Sequence, residues 1–78
     1  MPQKRRPPPQ KTHSETIGQR LARLRRERGL NQTEVASSLG VSQATVSAYE
    51  RDAARLVSDH IVALTSILQV SSDELLGV

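Results

Sequence analysis

The chain has 78 residues, one aromatic residue and no cysteine. A chain of that length builds at most one small domain, its core must come from Leu, Val, Ile and Ala, and disulfides are excluded. Its net charge is +3, no apolar run approaches membrane-spanning length and nothing resembles a secretory segment, so a soluble cytoplasmic chain with no membrane partner is expected.

Charge is unevenly spread. Residues 1–28 carry nine Lys and Arg against Glu15 and Glu27, whereas residues 29–78 carry Arg51 and Arg55 against six acids. Such polarity suits an anionic partner for the basic end, or simply a solvated surface. Met1 to His13, MPQKRRPPPQKTH, has four prolines, four cations and no apolar residue beyond the initiator. It cannot bury enough surface to offset ordering, so residues 1–13 are expected to form a disordered basic Pro-rich arm, with Pro7-Pro8-Pro9 locally extended. The arm can lie along phosphates or be a solvated leader.

Residues 14–78 are expected to fold as one unit. Ser14 is placed to cap a first helix whose buried stripe is Ile17, Leu21 and Leu24 at i, i+4 and i+7. Arg23 and Arg26 project away from that stripe as solubilising charge, and Arg25 flanks it. Gly29 ends the helix and Leu30 packs into the junction. Asn31 and Glu34 form an N-x-x-E version of the capping box for a second helix, with Val35, Ala36 and Leu39 on its apolar face. Gly40 follows the last apolar residue, where a left-handed turn wants no Cβ. Val41 re-enters the core, Ser42 caps a third helix, and Val46 and Tyr49 supply its inward face. Two short helices joined by a Gly-containing turn fit a helix-turn-helix. Arg51 to Arg55 is a loop. Ser58 is a better cap than Val57 for a fourth helix with Ile61, Leu64, Thr65 and Leu68 on one face, and Ser71 or Ser72 caps a short DELLG turn. The fold class is all-α, a compact bundle of five helices.

LNQTEVASSLGVSQATVSAYE resembles the helix-turn-helix core of the XRE/Cro-CI family, which includes the lambdoid phage repressors. The resemblance continues through TIGQRLARLRRERGL before it and VALTSILQVSSDELLGV after it, so it covers Ser14 to Val78. It implies a lambda-repressor-like domain that regulates transcription by binding double-stranded DNA sequence-specifically, as a homodimer on a two-fold operator. The family has an arginine that pairs with the glutamate ending the recognition helix, here Arg25 with Glu50. Gln32 matches a glutamine that contacts backbone phosphate and braces the first residue of that helix, here Gln43. Asp52 stands where the family usually has glycine, and Asp tolerates the left-handed turn better than most residues. The dimer surface implied is helix 5, with Leu76 needed for the core and Leu75 and Val78 free to meet a second copy.

A reading helix presents its N-terminal side chains to base edges in the major groove. The outward positions are Gln43, Ala44, Ser47 and Ala48, with Thr45 on the flank. Gln43 alone can make a two-bond contact, which matches adenine; the alanines offer apolar contact to a thymine methyl. Gln32 sits at a helix N-terminus that favours phosphate, with Asn31 beside it. Ser42, Arg51 and Arg55 complete the expected DNA surface. His13 and His60 have no partner at metal-ligand spacing, and neither a catalytic constellation nor a cofactor motif is suggested, so no enzyme, no metal and no cofactor are expected. The rival expectation is a protein-interaction module, antitoxin-like with an unidentified protein partner, that kept the fold and lost specific DNA binding. The acidic balance of residues 29–78 and the absence of Lys and Arg from helix 43–50 favour it.

Overall fold

A computed structural model describes residues 15–78, in which five helices follow one another without a strand: α1 (Ile17–Glu27), α2 (Gln32–Leu39), α3 (Gln43–Glu50), α4 (Ser58–Leu68) and α5 (Ser72–Leu76). The basic arm of residues 1–13 and the proposed cap Ser14 lie outside the described residues.

Local chemistry sets most of the helix starts. Asn31 and Glu34 exchange bonds between side chain and backbone amide at 2.8 Å each, Ser42 accepts from the Thr45 amide at 3.2 Å, and Ser71 accepts from the Glu74 amide at 3.0 Å. Two starts differ from expectation. The cap of α1 is Thr16, not Ser14: its hydroxyl takes the Gln19 amide at 3.0 Å while the Gln19 side chain takes the Thr16 amide at 3.0 Å, a second capping box. The cap of α4 is Val57, not Ser58, and it makes no side-chain bond. A valine there forgoes a contribution of about 1 kcal/mol that a serine would add.

All five helices stop in one way. Gly29, Gly40, Asp52, Gln69 and Gly77 are left-handed, with φ between 57° and 79°. The amide after each of them bonds back to a carbonyl five residues earlier, as Leu30 does to Arg25 at 3.1 Å and Ala53 does to Ala48 at 2.8 Å. At Asp52 and Gln69 a Cβ makes that turn costly, by roughly 1–2 kcal/mol. Both turns are held by α1. The Asp52 carboxylate accepts from the Gly18 amide at 3.0 Å and from the Thr16 hydroxyl at 2.5 Å, so it also serves a free amide in the first turn of α1. Arg28, at the other end, donates to the carbonyls of Leu68 at 2.7 Å and Gln69 at 3.2 Å.

One core joins the helices: Leu21 and Leu24 of α1, Val35 and Ala36 of α2, Val46 and Tyr49 of α3, Leu64 and Leu68 of α4, and Leu75 of α5. Ile17, expected in the buried stripe, is 41% exposed. It is the first residue of α1, and it lines an open groove with Asp52, Ile61 and Leu76 instead of entering the core. Leu75 is wholly buried and Leu76 is half-buried, the reverse of the expected division of labour. In a helix of five residues that touches both α1 and α4, a rotation of 100° exchanges the two. Arg23 is no free surface charge either: it pairs with Glu15 at 2.8 Å and Glu27 at 3.0 Å, and those bonds, Glu15's first, raise its guanidinium above the ordinary value. Arg20 is buried beside Glu15, bonded to it at 2.9 Å. Helical periodicity alone gives no sign of that burial.

Candidate nucleic-acid interface

A continuous polar arrangement runs from α1 to the exposed start of α3. Arg25 meets Glu50 through two bonds, Nε to Oε2 at 2.6 Å and Nη2 to Oε1 at 3.1 Å, and its third nitrogen donates to the Leu30 carbonyl at 2.9 Å. The side chains of this pair are 11% and 7% exposed. Gln32 then donates its amide to Glu50 Oε1 at 2.8 Å, and its own oxygen accepts from Gln43 Nε2 at 2.5 Å. Four side chains from three helices therefore form one unbroken series, and the last, Gln43, stands exposed at the first position of α3.

This geometry has a chemical consequence. The Gln43 side chain is oriented by a bond to one of its two polar atoms, while its carbonyl oxygen keeps no bond among the described residues. A free glutamine would lose rotamer freedom on meeting a ligand; a braced one has lost part of it already. The series also fixes which way the Gln32 amide points, because Glu50 can only accept from it.

Around Gln43, the residues expected at the interface share one side of the molecule. Asn31 and Ser42 cap α2 and α3, so the positive ends of both helices open there, side by side. Gln43 and Ala44 are exposed, while Gln32, Thr45, Ser47 and Ala48 are half-buried. Thr45 shares a hydroxyl contact with Ser42 at 3.0 Å, and Arg51 donates to the Ser47 hydroxyl at 3.3 Å, which folds its positive charge over the end of α3. Ala48 has its carbonyl occupied by the amides of Ala53 and Ala54.

Arg55 follows the end of α3. It lines a groove of about 490 Å³ whose other walls include Ile17, Gly18, Tyr49, Leu56, Ile61 and Leu76. Gly18 lets α1 pass close to α3 there: a Cβ at that position would strike the Tyr49 carbonyl and come within 2.8 Å of the Glu50 carbonyl. Tyr49 meets His60 on α4, hydroxyl to Nδ1, at 2.7 Å. Leu75, expected at a dimer surface, is unavailable in the core, whereas Val78 is exposed. Among the described residues no group of three potential metal ligands occurs, and no helix is long and apolar enough to cross a membrane.

Comparison with known proteins places this geometry. The sequence pattern of the family described as "Helix-turn-helix domain" matches residues 16–76. The HTH-type transcriptional regulator ImmR of Bacillus subtilis (strain 168) is 36% identical over 62 residues, which are 80% of this chain and 49% of ImmR. The chain thus spans about half the length of that curated relative. The P22 c2 repressor, solved in complex with a synthetic operator, superposes with a TM-score of 0.72 at 30% identity, over 77% of this chain and 91% of the repressor. The restriction-modification controller protein C.AhdI from Aeromonas hydrophila gives 0.73 at 31% identity, over 78% and 92%.

Proposed function

This chain belongs to the helix-turn-helix domain family, in its XRE/Cro-CI form, and from that premise we propose that it is a sequence-specific transcriptional regulator that binds double-stranded DNA as a homodimer. The observation that carries the reading is the bonded series Arg25–Glu50–Gln32–Gln43. It presents a glutamine, already oriented, at the N-terminus of the second helix of the motif, where base edges are read. Gln43 makes the base contact, bidentate to an adenine once its bond to Gln32 is shared with the base. Ala44 and Ala48 pack on thymine methyls, and Thr45 and Ser47 reach a base or a phosphate. Asn31, Gln32 and Ser42, at the two helix N-termini, and Arg51 beside them engage the phosphates.

The face is polar and carries one positive side chain, Arg51. Direct contacts are therefore few, and discrimination leans on duplex deformability and on the spacing of two copies. Superposition on the P22 c2 repressor, which is bound to an operator, supports the docking.

Selection of bound duplexes from a random pool tests the function. The expected result is a two-fold site with an adenine in each half and half-site centres about 10 base pairs apart. Recovery of no preferred sequence, with affinity for mixed duplex that is flat in salt, would instead establish a protein-interaction module.

A further inference from the structure

We infer that the groove beside the recognition helix is where a second copy of this chain docks, in a two-fold contact centred on Val57. The occupant rests on the homodimer reading above; the surface itself rests on four observations.

The first is apolar exposure. Ile17, 41% exposed, and the half-buried Leu56, Ile61 and Leu76 line the groove, and Val57, 52% exposed, follows the groove wall Leu56 directly in the chain. The second is the misplaced cap. Val57 occupies the N-cap of α4, where a hydroxyl or carboxamide would bond a free amide, and it makes no such bond. The valine thus adds no bond to the helix start and leaves an apolar side chain 52% exposed. The third is charge order. Arg55-Leu56-Val57-Ser58-Asp59 places a cation two residues before Val57 and an anion two residues after it. A two-fold axis at Val57 brings the segments together antiparallel, so that Arg55 of each copy faces the partner's Asp59 and the valines meet at the centre. Arg55 and Asp59 are exposed, and neither makes an ion pair or side-chain hydrogen bond among the described residues, so both are available. The fourth is position. Tyr49 and Asp52 tie the groove to the end of α3, so the contact joins two copies beside their reading helices. Leu76, on the exposed side of α5, then extends the apolar floor.

The test uses the full chain. Sedimentation and NMR diffusion without DNA should show concentration-dependent dimerisation. Val57→Ser should weaken it by about tenfold or more while the monomer stays folded, since serine supplies the missing cap. Val62→Ser, at an exposed position on another side of α4, should leave association unchanged. Arg55→Glu and Asp59→Arg should each weaken the dimer, and the double variant should recover it, because the swap restores both cross-pairs. Undiminished self-association of Val57→Ser would overturn the proposal, as would a failure of the double variant to recover or a wild-type chain that stays monomeric at about millimolar concentration. Deleting residues 2–12 decides another occupant: if the Ile17, Leu56 and Ile61 resonances then shift in a chain that does not self-associate, the groove belongs to the chain's own N-terminal segment and the proposal fails. None of these measurements contains DNA, so a failed surface leaves the DNA reading standing, and a failed selection experiment leaves the surface standing.

Discussion

Gln43 and Arg25 stand at opposite ends of one bonded series, and truncating each should have a different effect. Gln43→Ala removes an exposed end, so it should leave stability almost unchanged while costing about 1–3 kcal/mol on the selected duplex and relaxing preference at one base pair. A duplex titration against the selected site and its single-base variants measures both. Arg25→Ala removes the buried end and leaves Glu50 with Gln32 as its only side-chain donor among the described residues. Loss of one partner from a buried pair costs about 3 kcal/mol, so urea unfolding should show a far lower midpoint for Arg25→Ala than for Arg26→Ala. Arg26 is exposed and unpaired among the described residues, which makes it the fair control. Gln32 lies between, bonded on both sides, so Gln32→Ala should weaken both readouts modestly.

At the scale of the element, the left-handed stops separate strain from service. Gln69 contributes only its backbone to the turn after α4, so Gln69→Gly should relieve strain and stabilise by about 0.5–1 kcal/mol. Asp52→Gly relieves the same strain but deletes both acceptors that hold the start of α1, so it should destabilise instead. Thermal melts of the two variants should therefore move in opposite directions. Leu75→Ala should cost about 2–5 kcal/mol, as a buried leucine does, and should lower the melting temperature rather than act on self-association alone. These contrasts show what a one-dimensional reading reaches. Asn31, Glu34, Gly40 and Ser42 act on neighbours three to five residues away, and their roles were legible from spacing. Arg25 and Glu50 were legible only through a family likeness, since 25 residues separate them. Asp52 and Arg28 act on distant backbone, and no periodicity carries that information. The buried leucine of α5 was misassigned because five residues are too few to fix the phase of a helix.

At the scale of the whole molecule, electrostatics and connectivity dominate. Deleting residues 2–12 removes Lys4, Arg5, Arg6 and Lys11, so affinity for all duplexes should fall alike. The slope of log affinity against log salt should become shallower by up to about 0.9 for each phosphate that is no longer neutralised. An unchanged slope would mean that the segment touches no phosphate. Connectivity has its own consequence, which follows from the two ends of α1. Gly18 waits for Asp52, 34 residues later, and Arg28 waits for Leu68, 40 residues later. During synthesis α1 leaves the ribosome before the other four helices, and its fastenings arrive last. A nascent chain that ends before α4 exposes Leu21 and Leu24 before the fastening at Leu68 exists, and α1 should remain unstructured until α4 has emerged.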